Sequence, residues 1–310
     1  MIKKCNGGRY KVLSAKVETL IAVSETLNFT RAAEQLNLTQ PAVSHHIKQL
    51  EEELGVKIFI RDGNGLKLTP EGEVVLKYAR RMNALYTNLQ TALADEKRNI
   101  NRLTVGITHT AESNPIAEVL ATYSSKHDGV RIKMVTNTIN NLYYMLKTYD
   151  IDLAIAEGKF NDPDFNSILI DTDCLYLAVS TESALAHKSM VTLNDLKKEK
   201  MILRLPNSGT RNLFVSHLES NGMSIDDFNV ILEVDNIATI KDLIRREFGV
   251  SILPKSACLD ELKKGKISLL PVENLSMTRE INLVYHKDFD HAQILHDIIK
   301  TYNETVKLYT

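Results

Sequence analysis

A helical pattern without a helix-breaking residue runs from residue 73 to about residue 99, and it constrains the fold more than any other feature. Its apolar residues alternate three and four positions apart, as in a heptad seam. They are Val75, Tyr78, Met82, Leu85, Leu89 and Ala92. A helix of roughly 40 Å cannot bury such a seam against one small domain. We therefore expect a linker helix over 71–100 whose seam, from Val75 to Leu89, dimerises with a second copy. Packing of the seam on the chain's own C-terminal domain is the alternative.

Three short amphipathic segments precede this helix. The first ends near Leu27, and Thr30 is placed as the N-cap of the second. Asn37 follows as a residue that tolerates left-handed backbone, which predicts a tight turn. Thr39 can cap the third segment, where Pro41 is accepted because first-turn N–H groups have no partner within a helix.

The third segment has two different faces. Its predicted buried face consists of Val43, Ile47, Leu50 and Leu54. Gln40, Ser44 and Lys48 lie four apart on another face, and His45 flanks them. Polar donors and acceptors at the N-terminal end of a helix are typical of a recognition helix in the major groove. A face that is merely solvated is the simpler interpretation, but the order of elements around it argues against that.

Two short strand-like runs, 56–61 and 66–69, surround an Asp-Gly-Asn-Gly turn and predict a hairpin. After a helix-turn-helix such a hairpin is interpreted as a wing, from which Arg61 and Lys67 can reach the DNA backbone or minor groove. Residues 1–70 carry a net charge of +3, which leaves −4 for the remainder of a chain whose total is −1. This asymmetry places the DNA-facing surface near the N-terminus.

The segment LNFTRAAEQLNLTQPAVSHHIKQLE, followed by Leu54-Gly55, by Phe59-Ile60-Arg61 and by 68–72 (LTPEG), closely resembles the N-terminal signature of LysR-type regulators. The resemblance covers about sixty residues. It implies that Gln40, Pro41, Ser44 and His45 face bases or their flanking phosphates, although relatives often have arginine at position 45. The predicted DNA-binding residues are Thr30, Thr39, Gln40, Pro41, Ser44, His45, Lys48, Arg61 and Lys67. Residues 1–15 extend beyond the usual family start; a disordered tail or a wrongly chosen start codon is favoured over a phosphate-binding arm.

Strands and helices alternate from residue 102 onward, which predicts α/β architecture with a parallel sheet. The predicted strands are 103–108, 130–136, 151–156, 175–179, 201–205, 229–234, 250–253 and 283–285. The predicted helices are 115–125, 139–149, 211–220, 237–247 and 291–308. We expect a multidomain α/β protein with a winged helix-turn-helix (1–70), the linker helix and a two-lobed domain (101–310). Lobe I covers about 101–172 and 278–310, and lobe II covers about 173–277.

Polar side chains gather where the predicted strands end, at the edge where α/β domains bind ligands. Helix N-termini with Ser or Thr hydroxyls and unpaired N–H groups bind carboxylate, sulfate or phosphate. The arrangement therefore favours a small anionic effector. The predicted effector-binding residues are Thr108, His109, Thr110, Asn137, Thr138, Ser208, Gly209, Thr210 and Arg211.

This C-terminal half resembles the LysR substrate-binding domain, which is itself similar to periplasmic solute-binding proteins. The matching segments are 152–155 (DLAI), 208–211 (SGTR) and 249–254 (GVSILP). Two departures bear on the cleft. Residues 205–207 (LPN) replace the usual lead-in to Ser-Gly-Thr, and Glu247 stands where relatives often have glycine. A non-glycine in a left-handed cap costs on the order of 1 kcal/mol, unless the helix ends differently.

The sequence argues against other classes of protein. It has no catalytic triad motif, P-loop or HExxH pair, so we expect neither an enzyme nor a bound cofactor or metal. A solute-binding protein would need a secretory signal, and no apolar run of 18 residues predicts a membrane span. Three cysteines without CxxC spacing fit a cytoplasmic protein. We expect a transcription regulator whose partners are double-stranded promoter DNA, a small-molecule effector and further copies of itself, as a homodimer or homotetramer.

Overall fold

The computed structural model describes residues 13–63, 65–96, 101–111, 115–158, 162–289 and 291–307. The chain divides into two compact units, Met1–Asn99 with Lys147–Asp150, and Ile100–Leu146 with Ile151–Thr310. They are called the N-terminal unit and the C-terminal unit below. Most of the predicted N-terminal extension, Asn64 of the hairpin turn and the end of the linker helix lie outside the described residues. No helix in the described ranges has the length and apolar character needed to cross a membrane.

The N-terminal unit contains three short helices, a hairpin and a long helix. The helices are α1 (Ala15–Thr26), α2 (Phe29–Leu36), α3 (Gln40–Leu54) and α4 (Pro70–Glu96), and the strands are β1 (Phe59–Asp62) and β2 (Gly65–Leu68). The two strands pair antiparallel, with Arg61 opposite Leu66. One apolar core joins these elements, and Leu20, Val43 and Ile58 are fully or almost fully inaccessible within it.

Local signals set most of the helix ends in this unit. Asn37 is left-handed, with φ 53°, and ends α2, while the Thr39 hydroxyl accepts a hydrogen bond from the Ala42 N–H and caps α3. Thr69 caps the start of α4 by accepting from the Gly72 N–H at 2.8 Å. A Cβ at Gly72 would lie 2.2 Å from the Ile58 carbonyl oxygen, so α4 can lie this close to the hairpin only with glycine there.

Two sequence-based predictions in this unit are wrong. Asn28, not Thr30, caps α2, because its extended backbone lets its side chain accept from the N–H groups of Thr30 and Arg31. Thr30 lies inside the first turn instead. Leu54 was predicted to be buried, yet it is 49% exposed, because the chain turns away from the core at Gly55.

The C-terminal unit alternates strands and helices. Its strands are β3 (Asn101–Thr108), β4 (Val130–Asn137), β5 (Leu153–Glu157), β6 (Phe165–Ser180), β7 (Lys200–Leu203), β8 (Asn229–Glu233), β9 (Ser251–Pro254), β10 (Ile267–Leu270) and β11 (Thr278–His286). Its helices are α5 (Ile116–Lys126), α6 (Ile139–Lys147), α7 (Leu193–Leu196), α8 (Gly209–Ser220), α9 (Ile237–Arg245), α10 (Leu259–Lys263) and α11 (Ala292–Val306).

The strands of this unit form two lobes. β3 pairs in parallel with β4 and β5, and β11 pairs antiparallel with β5, which builds the sheet of the first lobe. In the second lobe β9 and β10 pair with β6, and β7 pairs in parallel with β8. Separate apolar clusters fill the two lobes, around Val105 and Leu153 in the first and around Leu177 and Phe214 in the second.

One long strand belongs to both lobes. β6 has 16 residues; its first part pairs with β11 and its last part pairs with β9 and β10. The sequence predicted strand only at 175–179 and missed β10 altogether. The first part of β6 is half-exposed and alternates poorly between apolar and polar residues, so its pairing with β11, about a hundred residues away, is what makes it a strand.

Glu247 has the left-handed backbone that its position suggested. Its φ is 59°, and it follows α9 in the turn that leads to β9. Of the two interpretations open at this site, the structure selects the left-handed turn with a residue that has a Cβ. Glu247 is exposed, so the cost is one of backbone conformation rather than of packing.

Candidate functional site: a polar recognition helix and a charged cleft

The first candidate site is the exposed polar face of α3, called the recognition face. It consists of Gln40, Ser44, His45 and Lys48, all of them exposed or half-exposed. Gln40 Nε2 donates to Ser44 Oγ at 2.9 Å, so the two side chains already share an orientation. Lys48 lies 3.6 Å from Glu52 in an ion pair that is mostly exposed and therefore weak.

Other polar side chains of α3 turn away from this face. His46 Nδ1 lies 2.9 Å from Thr19 Oγ1 and joins α3 to α1. Glu51 accepts from the N–H groups of Ile58 and Phe59 at the base of the hairpin. Although partial burial opposes ionisation, these hydrogen bonds and the one from Lys57 hold the pKa of Glu51 below its ordinary value. The carboxylate is thus used inside the unit, away from the recognition face.

The hairpin carries both predicted wing cations at its surface. Arg61 is exposed on β1, and Lys67 on β2 forms an exposed ion pair with Asp62 at 2.5 Å. Thr30, Thr39 and Pro41 are exposed near the start of α2 and α3. All nine predicted DNA-binding residues therefore lie at the surface of the N-terminal unit, with Ser44 the least exposed.

An apolar stripe runs along the outside of α4. Its members are exposed by between 47% and 60%: Val74, Tyr78, Met82, Leu85, Leu89 and Leu93. Four of the five predicted dimerisation residues belong to this α4 stripe. The fifth, Val75, is half-buried and packs against the core of the N-terminal unit, and its neighbour Val74 takes the exposed position.

The second candidate site is a cavity of about 180 Å³ in the C-terminal unit, called the cleft. It lies where β3, β4, β5, β7 and β8 end and where α6 and α8 begin. The lining residues are Thr108, His109, Thr110, Asn137, Thr138, Ile139, Glu157, Arg204, Leu205, Asn207, Ser208, Gly209 and Asp235. Strand ends and helix N-termini supply N–H groups and hydroxyls, which suit an anionic group.

Seven of the nine predicted effector-binding residues line this cleft, and Thr210 and Arg211 do not. Thr210 is buried, and its hydroxyl accepts from Arg279 Nη1 at 3.3 Å. Arg211 donates to the Arg204 carbonyl oxygen at 3.1 Å and forms an ion pair with Glu233. The extra positive charge predicted from Arg211 is therefore engaged outside the cleft.

Arg204 was not predicted, and it is the cation that lines the cleft. The residue is 3% exposed, and its Nη2 donates to Asp235 Oδ1 at 3.0 Å. Burial lowers its pKa, while Asp235 and Glu157 oppose that shift and keep it charged. Within the described part of the chain, Nε and Nη1 of Arg204 have no hydrogen-bond partner.

A second buried arginine lies behind the cleft. Arg279 Nη2 donates to Asp173 Oδ2 at 3.1 Å and lies 3.6 Å from Glu157 Oε1. Asp173 also accepts from the hydroxyl and the N–H of Ser256. Arg279 therefore has bonded partners in Asp173 and Thr210, and Glu157 faces the cleft with only a long contact to it.

Both buried charges have a signal in the sequence. Arg204 directly follows an apolar strand, and Glu157 is the last residue of another one, as Thr108 is of β3. A search of strand ends for charged as well as hydroxyl and amide side chains would have found them. Burial raises the pKa of the Cys258 thiol to about 12. No group of three potential metal ligands occurs among the described residues.

These two sites define a DNA-binding regulator joined to a ligand-binding domain, and comparison with known families gives the same result. The model described as "LysR substrate binding domain" matches residues 97–305. The model described as "Bacterial regulatory helix-turn-helix protein, lysR family" matches residues 15–73. The chain therefore belongs to the LysR family of transcriptional regulators.

Named relatives are similar along most of their length. An uncharacterized HTH-type transcriptional regulator of Methanocaldococcus jannaschii is 28% identical over 270 residues, which cover 86% of this chain and 90% of the relative. The regulator CbbR of Rhodospirillum rubrum is 28% identical over 260 residues, covering 84% and 85%. CysL of Bacillus subtilis is 24% identical over 270 residues, covering 87% and 89%. These relatives are named as transcriptional regulators and not as enzymes.

Solved structures share the fold. CbnR in complex with its target DNA has a TM-score of 0.65 at 19% identity, over 94% of this chain and 98% of that one. A full-length OxyR variant of Pseudomonas aeruginosa has a TM-score of 0.63 at 20% identity, over 96% of each chain. At these identities the likeness concerns the fold: a winged helix-turn-helix, a long helix and a two-lobed α/β domain.

Proposed function

We propose that this LysR-type regulator binds double-stranded promoter DNA through the recognition face and the wing, and that a small metabolite with an anionic group controls it from the cleft. Gln40, Ser44, His45 and Lys48 are presented at the start of a capped helix, where side chains reach base edges in a major groove. Arg61 and Lys67 are placed for contacts with phosphates or the minor groove. A ligand shifts transcription to the extent that it prefers one arrangement of the protein over another.

The proposal of an anionic effector rests on Arg204, a buried cation that lines the cleft. Leaving buried donors unsatisfied costs about 1–3 kcal/mol, and more for a charged group, so such groups normally have partners. An anion in the cleft would balance the positive charge of Arg204 and would accept hydrogen bonds from the N-termini of α6 and α8. Arginine suits this role because its planar N–H groups match the geometry of carboxylate, sulfate or phosphate.

The test compares two arginines that lie seven positions apart. Thermal shift is measured with inorganic sulfate, phosphate, small carboxylates and amino acids, where a ligand at a hundred times its Kd adds about 2.7 kcal/mol of stability. Arg204→Gln should weaken binding of any active compound at least tenfold and leave binding of ligand-free protein to the promoter intact. Arg211→Gln is the matched control, because Arg211 pairs with Glu233 outside the cleft. Equal ligand affinity in Arg204→Gln and in the unchanged protein would show that Arg204 does not bind the anion.

The α4 stripe supports a second part of the proposal, that two copies associate through this helix. Six exposed apolar side chains on one face of a 27-residue helix form a surface that water disfavours, and they recur three or four positions apart. Two recognition helices on neighbouring major grooves require such a spacer between subunits. Both a dimer and a tetramer built from dimers satisfy this requirement.

The stripe is tested by placing a charge in its centre. Leu85→Lys should shift the protein towards monomer in sedimentation velocity and weaken promoter binding, because a lysine there would be buried without a partner. Thr87→Lys adds the same charge at an exposed position 200° around the helix and should leave the assembly unchanged. Identical sedimentation of the two variants would mean that α4 does not carry the association.

A further inference from the structure

The charged residues of the cleft are unlike those of a site for a simple anion. One cation, Arg204, and two carboxylates, Glu157 and Asp235, line it. Asp235 is half-exposed and forms an ion pair with Arg204, whereas the Glu157 side chain is only 10% exposed. A ligand that bears negative charge alone would be attracted by Arg204 and repelled by a buried carboxylate in the same cavity of about 180 Å³.

One carboxylate oxygen of Glu157 lacks a hydrogen-bond donor within the described part of the structure. Its Oε1 atom is buried, and no group in the described ranges donates a hydrogen bond to it. The nearest cationic atom, Arg279 Nη2, is 3.6 Å away, which is too long for a hydrogen bond, and it already donates to Asp173. A carboxylate held this way gains most from an ammonium group, which supplies both a hydrogen bond and an opposite charge.

Arg204 therefore favours an anionic group on the ligand, whereas Glu157 favours a cationic one. Among the described residues, Nε and Nη1 of Arg204 are buried without an acceptor, Oε1 of Glu157 is buried without a donor, and both residues line the cleft. The two residues line the same cavity of about 180 Å³. An α-amino acid carries a carboxylate and an ammonium on the same carbon atom, so it can satisfy both in a small space.

We propose that the effector is a zwitterion of the α-amino acid type, with its carboxylate on Arg204 and its ammonium on Glu157. The inference rests on the proposed function of the cleft as the effector site and narrows its ligand class. The volume of the cleft lies below the usual range of roughly 300–1,000 Å³ for ligand pockets, which favours a ligand of this size. Ile139 and Leu205 add apolar surface for an aliphatic side chain.

The experiment uses matched ligands on the full-length protein. Each of the twenty L-amino acids is compared by thermal shift, and then by calorimetry, with its 2-hydroxy acid and with the carboxylate that lacks the amino group. At least one amino acid should bind tenfold or more tightly than both of its analogues. Analogues that bind as tightly as the amino acids, or twenty amino acids without binding, would overturn the inference.

A pair of glutamates separates the role of Glu157 from general effects of charge. Glu157→Gln should weaken amino acid binding at least tenfold. Glu233→Gln removes a carboxylate from the same unit outside the cleft, where it pairs with Arg211, and should have no such effect. Unchanged affinity in Glu157→Gln would overturn the inference.

The same measurements distinguish this inference from the proposed function. If carboxylates or sulfate bind without an amino group and Arg204→Gln abolishes that binding, the anion site stands and the zwitterion is wrong. If no compound of either kind binds the unchanged protein, both fail together.

Discussion

The recognition face and the cleft obtain their side chains in different ways. The recognition face takes four residues from a span of nine on one helix, and all of them are at least half-exposed. The cleft takes its residues from five strand ends between Thr108 and Asp235, and its arginine and glutamate are buried. If the proposed function is right, a change on the recognition face affects the interaction with DNA, whereas a change at the buried Arg279 behind the cleft also affects the fold.

The largest effect is expected behind the cleft, at Arg279. Arg279→Ala leaves the buried Asp173 and Glu157 without their shared cation, which typically costs about 3–5 kcal/mol. Urea unfolding of the C-terminal unit should show this loss. Arg61→Ala, on the exposed wing, is the matched arginine and should change stability by less than about 0.5 kcal/mol. Similar losses in both variants would contradict the contrast between a buried and an exposed charge.

A smaller effect, in binding rather than stability, is expected on the recognition face. Ser44→Ala removes a hydroxyl that accepts from Gln40 and that the proposed function places against DNA, so promoter affinity should fall about tenfold, or about 1.4 kcal/mol. Fluorescence anisotropy with the DNA upstream of the protein's own gene measures this, and a scrambled duplex reports non-specific binding. Urea unfolding should be unchanged. Full promoter affinity in Ser44→Ala would show that Ser44 does not contribute to DNA binding.

The smallest effect compares one backbone conformation in the two units. Asn37 and Glu247 are both left-handed, with φ 53° and φ 59°. Glu247→Gly should raise the free energy of unfolding of the C-terminal unit by about 1 kcal/mol, because glycine adopts this conformation without a Cβ clash. Asn37→Gly should change stability by only a few tenths, since asparagine tolerates it already. An equal gain in the free energy of unfolding at both positions would mean that the cost of the left-handed backbone does not depend on whether the residue is asparagine or glutamate.

The same difference between the two units decides what could be predicted from the sequence. Asn37, Thr39 and the buried Val43 act within a few residues of one another, and their roles were predicted correctly. The cap of α2 was misplaced by two residues because both Asn28 and Thr30 can cap, and only the backbone at Asn28 is extended. Local pattern was enough wherever neighbours along the chain are also neighbours in space.

The sequence predicted where the cleft lies and most of its uncharged lining residues, but not its charged residues. Strand ends were expected to converge, and seven predicted residues, six of them polar, do line the cleft. Arg204 and Glu157 were missed because their burial depends on partners that pairing between distant strands brings near, Asp235 and Arg279. Arg211 looked like the free cation for the opposite reason, since its partner Glu233 lies 22 residues away on β8. Such pairings follow from topology and carry no periodic signal.

The 16 residues of β6 have a mechanical consequence for the C-terminal unit. At about 3.3 Å per residue the strand is roughly 50 Å long, and it is hydrogen-bonded into both lobes along its length. Asp173 on β6 and Arg279 on β11 are paired across the strands where β6 passes from one lobe to the other. The two lobes are thus joined by one continuous strand, with the Asp173–Arg279 ion pair at the point where it crosses between them. A change in the angle between the two lobes would therefore have to bend or twist β6 itself.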